Sequence, residues 1–405
     1  MPQELADLPA LELSEANFIQ DPYSLYARLR ETQPACRVLT PNKIAVWLVT
    51  RYDDVRELLA NPSLHKDMRV TGPLFERHTA GGIRRQDFGG ELVTHMLNSD
   101  PPDHARLRRL VGKAFTARRI ALMRPRIEAI ADGLLESRRS GERVDLIESF
   151  AYPMAITVIC ELLGVPAEDR AEFRQWSGTL VSSVKPELAK AASGAMAEYL
   201  TRLLAAKRDD PHDDLLTALI QASDDEDKLS ESELISMAYL LLVAGHETTV
   251  NLIANGTLAL ISQPDQLSAL VADPGLLPGA IEEFLRYEGS LNLATFRYTT
   301  EPVRVGEITI PADEFVLLAL ASANHDPRRF PDGDRLEITR NAAGHVAFGH
   351  GIHHCLGAPL ARLEGEIAFT GLLRRFPSPR LAEDWVPRWR ASLFMRSLTE
   401  LPVVL

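Results

Sequence analysis

The chain has 405 residues, with 44 Lys and Arg against 56 Asp and Glu, and a formal charge of −12. Its 45% apolar and 25% charged residues are those of an ordinary globular protein with ample material for a core. The acidic balance argues against nucleic acid or anionic lipid as partners. Cys36, Cys160 and Cys355 are too few and too far apart for a disulfide framework or a Cys-rich zinc module, which favours a reducing compartment. The first residues show no basic n-region, and the longest apolar run, 237–245, is about half the roughly 20 residues of a membrane span. A cytoplasmic protein with no membrane partner is expected.

In chain order, helical spacing predicts a helix over Asp21–Thr32, a buried strand over Ile44–Val49, and a helix over Arg51–Ala60 that stops at Asn61-Pro62. From Lys66 to Thr94 the pattern dissolves. Gly72, Gly81, Gly82, Gly89 and Gly90 punctuate a segment expected to be one long mobile, functional loop. After Asp100-Pro101-Pro102, strongly helical sequence continues to about residue 222. The acidic stretch Asp224–Glu233 reads as a solvated connection, and Ser230 with Glu233 has the capping-box spacing that opens a helix. No breaker follows until Gln263-Pro264, giving roughly 33 residues or about 50 Å. Its middle, Leu240–Ala244, is apolar on every side, as in a helix that crosses a protein's centre. A helix over Leu277–Tyr287 precedes short β-type runs at Val303–Val305, Glu307–Ile310 and Phe315–Ala319, with Gly306 at a turn. The predicted fold is mainly α with a smaller β portion, about 36–50 and 295–320 plus C-terminal strands, in one domain spanning 1–405.

The chemistry-bearing stretch runs from Phe348 to Pro359. Three glycines surround Cys355, and a helical pattern, Leu360–Leu373, follows at once. Glycines let the backbone take positive φ and approach a flat ligand. A cysteine at a helix N-terminus meets unpaired N–H groups and the positive dipole end, which favour the thiolate. Such a thiolate suits a haem iron, where it pushes electron density toward O–O cleavage. A lone cysteine is more often a small buried hydrophobe, the reading given to Cys160 and Cys36. A zinc site of His350, His353, His354 and Cys355 is the other alternative, although its crowded spacing lacks the paired geometry of common zinc modules. Taken alone, the cysteine leaves these readings open.

The wider pattern resembles the cytochrome P450 family of haem-thiolate monooxygenases. The family's haem signature is met at Phe348, Gly349, Gly351, His353, Cys355 and Gly357, and motifs in the family's order cover essentially the whole chain. One is Ala244-Gly245-His246-Glu247-Thr248-Thr249. In isolation it would be a helix-packing seam in which the threonine hydroxyl bonds the carbonyl four residues back. The resemblance implies that Ala244 borders the oxygen cleft, that Thr248 is the oxygen-activation residue, and that Glu247 relays protons. Glu283 and Arg286, ordinarily a solvated i,i+3 pair, become a buried structural pair with Arg335 as its downstream basic partner. His104, Arg108, Arg297 and His353 become the haem-propionate ligands, with Phe348, Gly349 and Gly357 framing haem b and Cys355 ligating its iron. His354 is not expected to be a ligand.

The resemblance further implies insertion of one atom of O₂ into a C–H or C=C bond. NAD(P)H electrons would arrive indirectly, through a ferredoxin and its reductase, since the chain holds no flavin or iron–sulfur module. A basic dock is expected at Arg106, Arg109, Lys113 and Arg362. Substrate contacts are expected from Phe88, Leu92, Val93, Trp176, Leu240, Val243, Ala244, Leu293 and Phe394, with polar selection from Arg84, Arg85 and Glu91. Ser290 stands where the family often has a proline. Mostly apolar positions imply a bulky hydrophobic substrate. The stretch 246–256 is most similar to enzymes that tailor macrolides and other polyketides; steroids, terpenoids, fatty acids and a non-catalytic haem sensor or carrier are the alternatives.

Overall fold

Ser230 starts the longest helix by accepting a hydrogen bond from the Glu233 backbone N–H at 3.2 Å, while the Glu233 carboxylate accepts from the Ser230 N–H at 2.8 Å. Two otherwise orphaned donors are thereby satisfied. The computed structural model describes residues 13, 16–79, 90–182, 186–221 and 229–405. In it this central helix runs Glu231–Ile261, 31 residues, and ends ahead of Pro264. Among the described residues it is the one helix long and apolar enough to cross a membrane, yet 67% of its apolar window is buried inside the protein. Its all-round apolar girth therefore serves the core.

Helices Tyr152–Leu163, Pro186–Asp209, Leu277–Tyr287 and Ala358–Arg375 pack on it. Two glycines set how closely they approach. A Cβ on Gly245 would lie 2.6 Å from Ile159 Cδ1, and one on Gly256 would lie 2.8 Å from Phe369 Cζ. Larger residues there would push neighbouring helices away and widen the core.

The β portion holds a five-stranded sheet in the order Ala35–Leu39, Ala45–Val49, Phe315–Leu318, Arg297–Thr299, Leu64–His65. Val46 pairs antiparallel with Val38, Trp47 parallel with Val316, and Arg297 antiparallel with Val316. At the edge, His65 pairs with Tyr298, so one step further along the register sets Lys66 opposite Arg297. Val303–Val305 and Ile308–Ile310 form a hairpin whose turn holds Gly306 at φ 59°. Arg143–Asp145, Pro402–Val404 and Arg380–Leu381 form a third sheet.

The mainly helical architecture with a smaller β part agrees with the sequence. Two local expectations do not. Within 66–94, the chain forms a 3₁₀ turn at Met68–Val70, a helix at Gly72–His78 that buries Leu74 and Phe75, and a second 3₁₀ turn at Gly90–Val93; residues 80–89 lie outside the description. Pro73 early in that helix costs no hydrogen bond, because first-turn N–H groups have no intrahelical partner anyway. The expected unbroken helical stretch to residue 222 is interrupted by strand Arg143–Asp145, whose three residues are too short for alternation to be legible and depend on pairing with Pro402–Val404.

Glu283 and Arg286 are fully buried and doubly bonded, Nε to Oε2 and Nη2 to Oε1, each at 2.7 Å. Arg286 Nη1 also donates to the carbonyls of Asn324 at 2.8 Å and Gly333 at 2.7 Å. Asn324 Oδ1 in turn accepts from the Val346 N–H at 2.8 Å, which ties the pair to the start of the cysteine loop. The expected third partner is corrected. Arg335 is exposed and offers only its carbonyl, 3.2 Å from Arg286 Nη2, whereas Arg340 Nε donates to Glu283 Oε1 at 3.2 Å. Two arginines five apart in one irregular loop look alike in sequence; only the chain path separates them. Breaking a buried pair costs roughly 3–5 kcal/mol, and exposed substitutions fall within about 0.5 kcal/mol. Arg286→Ala should therefore lower the urea midpoint severely, Arg340→Ala clearly, and Arg335→Ala hardly at all.

Candidate active site

The cysteine loop is shaped by backbone that L side chains avoid. Gly349 and Gly351 have φ of 71° and 74°, and a Cβ on Gly351 would meet Ala60 Cα at 2.8 Å. The loop closes through the Cys355 N–H donating to the Phe348 carbonyl at 2.9 Å. Gly357 caps helix Ala358–Arg375, and the N–H groups of Gly357 and Ala358 donate to the Cys355 sulfur. A second clamp comes from Glu282. It accepts from Arg362 at 2.6 and 2.8 Å and pairs with His345 at 3.0 Å; burial alone would raise its carboxyl, but these partners hold it at about 2. Arg362, expected in a docking patch, thus braces the loop and lies over the Phe348 ring at 4.7 Å. Arg106 likewise pairs with Glu233.

Cys355 is exposed, and what it faces is an internal cavity that the central helix also lines. The cavity holds about 1530 Å³ of space free of protein atoms, its solvent mouth included. Burial pushes the thiol up, and the two N–H groups, Arg108 and Arg362 oppose this without overcoming it. Binding a metal cation removes such a proton outright.

From the central helix, Ala244, Gly245, Thr248 and Thr249 line the same cavity. Thr248 Oγ1 donates to the Ala244 carbonyl at 2.7 Å. Ser290, also in the wall, donates from Oγ to the Thr248 carbonyl at 2.6 Å, so the hydroxyl that replaces a proline pins the helix at the threonine. Glu247 is buried. Desolvation would raise its carboxyl, but His246, Arg390 and Arg174 outweigh it and hold the group below the usual range.

One side of the cavity is strongly basic. His104, Arg108, Arg297 and His353 meet there, the His104 and His353 rings 4.3 Å apart. The sequence reading did not single out Lys66, which is buried in the same wall and donates from Nζ to Thr295 Oγ1 at 2.6 Å. A lysine carries no sequence signal for burial; the edge-strand register delivers it. His104 Nε2 and Arg297 Nε are buried without any hydrogen-bond partner. Burial, with Lys66, His104, Arg297 and Arg108 adding repulsion, pushes His353 down to about 2; burial also lowers Arg297 to about 10 despite Asp100. The Asp100 carboxylate already accepts from the Lys66 and Asp67 N–H groups. Converging cations with orphaned donors fit a dianionic ligand such as the two propionates of a haem, and Cys355 fits its iron.

Of the expected substrate contacts, Leu240 and Ala244 line the cavity. Leu92 is buried in the main core, and Val93 and Val243 are half-buried away from the cavity wall. Trp176 packs between Phe173 and Tyr199 at 5.7 and 5.8 Å. Leu293 turns into the sheet-side core, and Phe394 meets the Phe296 ring at 5.6 Å. Phe88, Arg84, Arg85 and the Glu91 side chain lie outside the described residues. Met96, Leu97, Leu241, Leu291 and Ala294 occupy the wall instead. The path of the 289–295 loop turns Ser290, Leu291, Ala294 and Thr295 inward, and apolar type alone cannot show this.

The fold and this haem-shaped site define a haem-thiolate monooxygenase, and the chain belongs to the cytochrome P450 family, whose model, "Cytochrome P450", matches residues 173–379. It is 54% identical over 400 residues to Cytochrome P450 107B1 of Saccharopolyspora erythraea, covering 98% of each chain. It is 50% identical to the monooxygenase PikC of Streptomyces venezuelae, covering 98% of this chain and 95% of the relative. The solved structure of the tirandamycin C-bound P450 monooxygenase TamI superposes with a TM-score of 0.90 at 51% identity, covering 98% of this chain and 100% of that one. As a family member, the chain works with haem iron, reductant-derived electrons, a redox partner and small substrates.

Glu364, buried at the cavity edge with Oε2 unpartnered, has its carboxyl pushed well above the usual range by burial. The folded chain therefore keeps this proton while the unfolded chain loses it from about pH 4.3. The stabilisation is complete below that pH and drains away as pH rises toward the folded value. Glu364→Gln lacks this loss, so its urea midpoint should gain on that of the native chain between pH 5 and pH 8; a constant difference would show that the carboxyl titrates normally.

Proposed function

We propose that this chain inserts one oxygen atom of O₂, by hydroxylation or epoxidation, into a bulky apolar secondary metabolite of the macrolide or polyketide class. The observation that carries the reading is Cys355 opening into a largely apolar cavity that Thr248 also lines, beside basic side chains among which His104 and Arg297 have unmatched ring and guanidinium nitrogens. PikC and the tirandamycin-bound TamI, each about half identical over nearly the full length, support the substrate class.

In this reading the bound group is haem b, which when present supplies oxygen activation under electron donation from the cysteine sulfur. Cys355 would hold the iron. His104, Arg108, Arg297, His353 and Lys66 would anchor the carboxylates through charge-assisted hydrogen bonds. Phe348, Gly349 and Gly357 keep the loop flat enough for a planar ligand to lie against. Thr248 positions its hydroxyl at the cavity wall by bonding the Ala244 carbonyl, and Glu247 holds a carboxylate in the next position, able to carry protons inward. Leu240, Leu241 and Ala244 from the helix, with Leu291 and Ala294 from the facing loop, exclude water and orient an apolar substrate. Electrons from NAD(P)H would come through a ferredoxin and its reductase. The burial of the long apolar helix supports a cytoplasmic location.

The reduced, CO-treated protein should show the strongly red-shifted Soret band of thiolate ligation, and Cys355→Ala should abolish it. A band typical of imidazole ligation, or no haem at all, overturns the proposal. Thr248→Ala should retain haem but release much of the consumed O₂ as hydrogen peroxide. Unchanged coupling of NADPH to product would remove Thr248 from its assigned role. Substrate class is read from which macrolides, steroids or fatty acids shift the iron's spin state.

A further inference from the structure

His246 sits in the middle of the central helix with no exposed surface, and the reading above gives it no task. Its Nδ1 lies 2.8 Å from the Leu242 carbonyl oxygen. A carbonyl only accepts, so Nδ1 carries a hydrogen, and the helix itself fixes that end of the ring. The other nitrogen, Nε2, faces Ser177 Oγ at 3.2 Å and Glu247 Oε1 at 3.4 Å. With a neutral ring and an ionised carboxylate, two lone-pair acceptors would confront each other in a buried site. One proton between them removes the conflict, either as imidazolium and carboxylate or as imidazole and carboxylic acid. Ser177 can follow both arrangements. Its hydroxyl donates to Nε2 when the ring is neutral, and to the Arg174 carbonyl, 3.4 Å away, when Nε2 bears a hydrogen.

We infer that His246 and Glu247 form a two-position proton store beside the reaction cavity, with His246 Nε2 holding the proton that Glu247 delivers. The inference rests on the proton-carrying role proposed for Glu247. In the transfer, the Nε2–H bond breaks as an O–H bond forms at Oε1. Imidazolium and carboxylate become imidazole and carboxylic acid, and no electrons change hands. After Glu247 passes the proton on, the pair is refilled from water at the 9% of the Glu247 side chain that remains exposed.

The surroundings bias the resting state. Arg174 and Arg390 face Glu247 and favour its ionised form. Glu148 pairs with Arg174 and offsets part of that charge. Tyr152 meets His246 edge-on at 6.1 Å, beneath Arg174 at 4.2 Å, and burial keeps its phenol neutral; Cys160, on the same helix, is likewise kept neutral by burial. His246 is thus a positioning and proton-holding residue that acts through Glu247.

The test uses the haem-loaded protein with a plant-type ferredoxin, its reductase, NADPH and O₂, and reads O₂ consumption against pH in H₂O and D₂O. His246→Gln should slow consumption about tenfold at pH 8 and recover toward the native rate near pH 6, where Glu247 can take its proton directly from water. Its solvent isotope effect should rise, with the reduced-CO spectrum unchanged. Ser177→Ala, which removes the donor to the neutral ring and so favours the protonated one, should move the native pH profile toward higher pH; it decides the matter if His246→Gln does not fold. Profiles and isotope effects identical to the native protein in His246→Gln, or in Ser177→Ala if that variant alone can be measured, overturn the store. Glu247→Gln distinguishes the two levels: if it too behaves as native, the proton-carrying role of Glu247 falls, whereas a slow Glu247→Gln beside a native-like His246→Gln removes only the store.

Discussion

Arg286 donates to Glu283 and to the carbonyls of Asn324, Gly333 and Arg335 from a site with almost no exposed surface, and Asn324 passes the constraint on to the Val346 N–H. A guanidinium so placed tolerates little movement, because each lost bond would leave a charged donor unmatched in a low-dielectric interior. Glu282, one residue from Glu283, turns the other way and grips His345 and Arg362. Helix Leu277–Tyr287 thus holds the cysteine loop from both ends, and the position of one sulfur is set by ion pairs that never touch the reaction. The requirement is geometric, since a ligand atom must stand at a fixed depth beneath a flat group.

The central helix meets a different demand. It must be apolar enough to pass through the core and open enough to leave a cavity beside it. Gly245 and Gly256 allow neighbouring helices to close in, while Ala244 leaves space on the cavity side. Thr248 and Ser290 then use the same short stretch of backbone, one hydroxyl on the Ala244 carbonyl and the other on that of Thr248. A proline at 290 would have stiffened the loop without forming that bond. The serine exchanges local rigidity for a direct tie between loop and helix.

Much of this was legible in the sequence wherever a local rule acts alone. The Ser230 cap, the Leu277–Tyr287 helix and the Gly306 turn depend on residues within a few positions of one another, and each appears as read. The cysteine loop was legible because its glycines and cysteine are the same chemical statement in one decamer. The failures are all non-local. Arg340 rather than Arg335 reaches Glu283 because of the loop's path, and Lys66 joins the basic wall because of strand register. Leu293 and Phe394 pack into the sheet-side core because of the path of their loops, with Phe394 against the Phe296 ring. Cys355 shows a further limit: the sequence shows a helix N-terminus but not the burial that pushes the thiol up.

The cationic wall has a bearing on how the protein matures. Lys66 and Arg297 repel one another and burial disfavours the charge of each, with Asp100 the carboxylate that offsets them, so the empty chain carries an electrostatic penalty that an incoming dicarboxylate would relieve. That relief depends on the rim of the porphyrin and owes nothing to its centre. Recognition of a haem's carboxylates and capture of its iron would then draw on separate residues, the first on this basic wall and the second on Cys355. Ligand occupancy adds directly to folding stability, so the first event alone would stabilise the nascent chain.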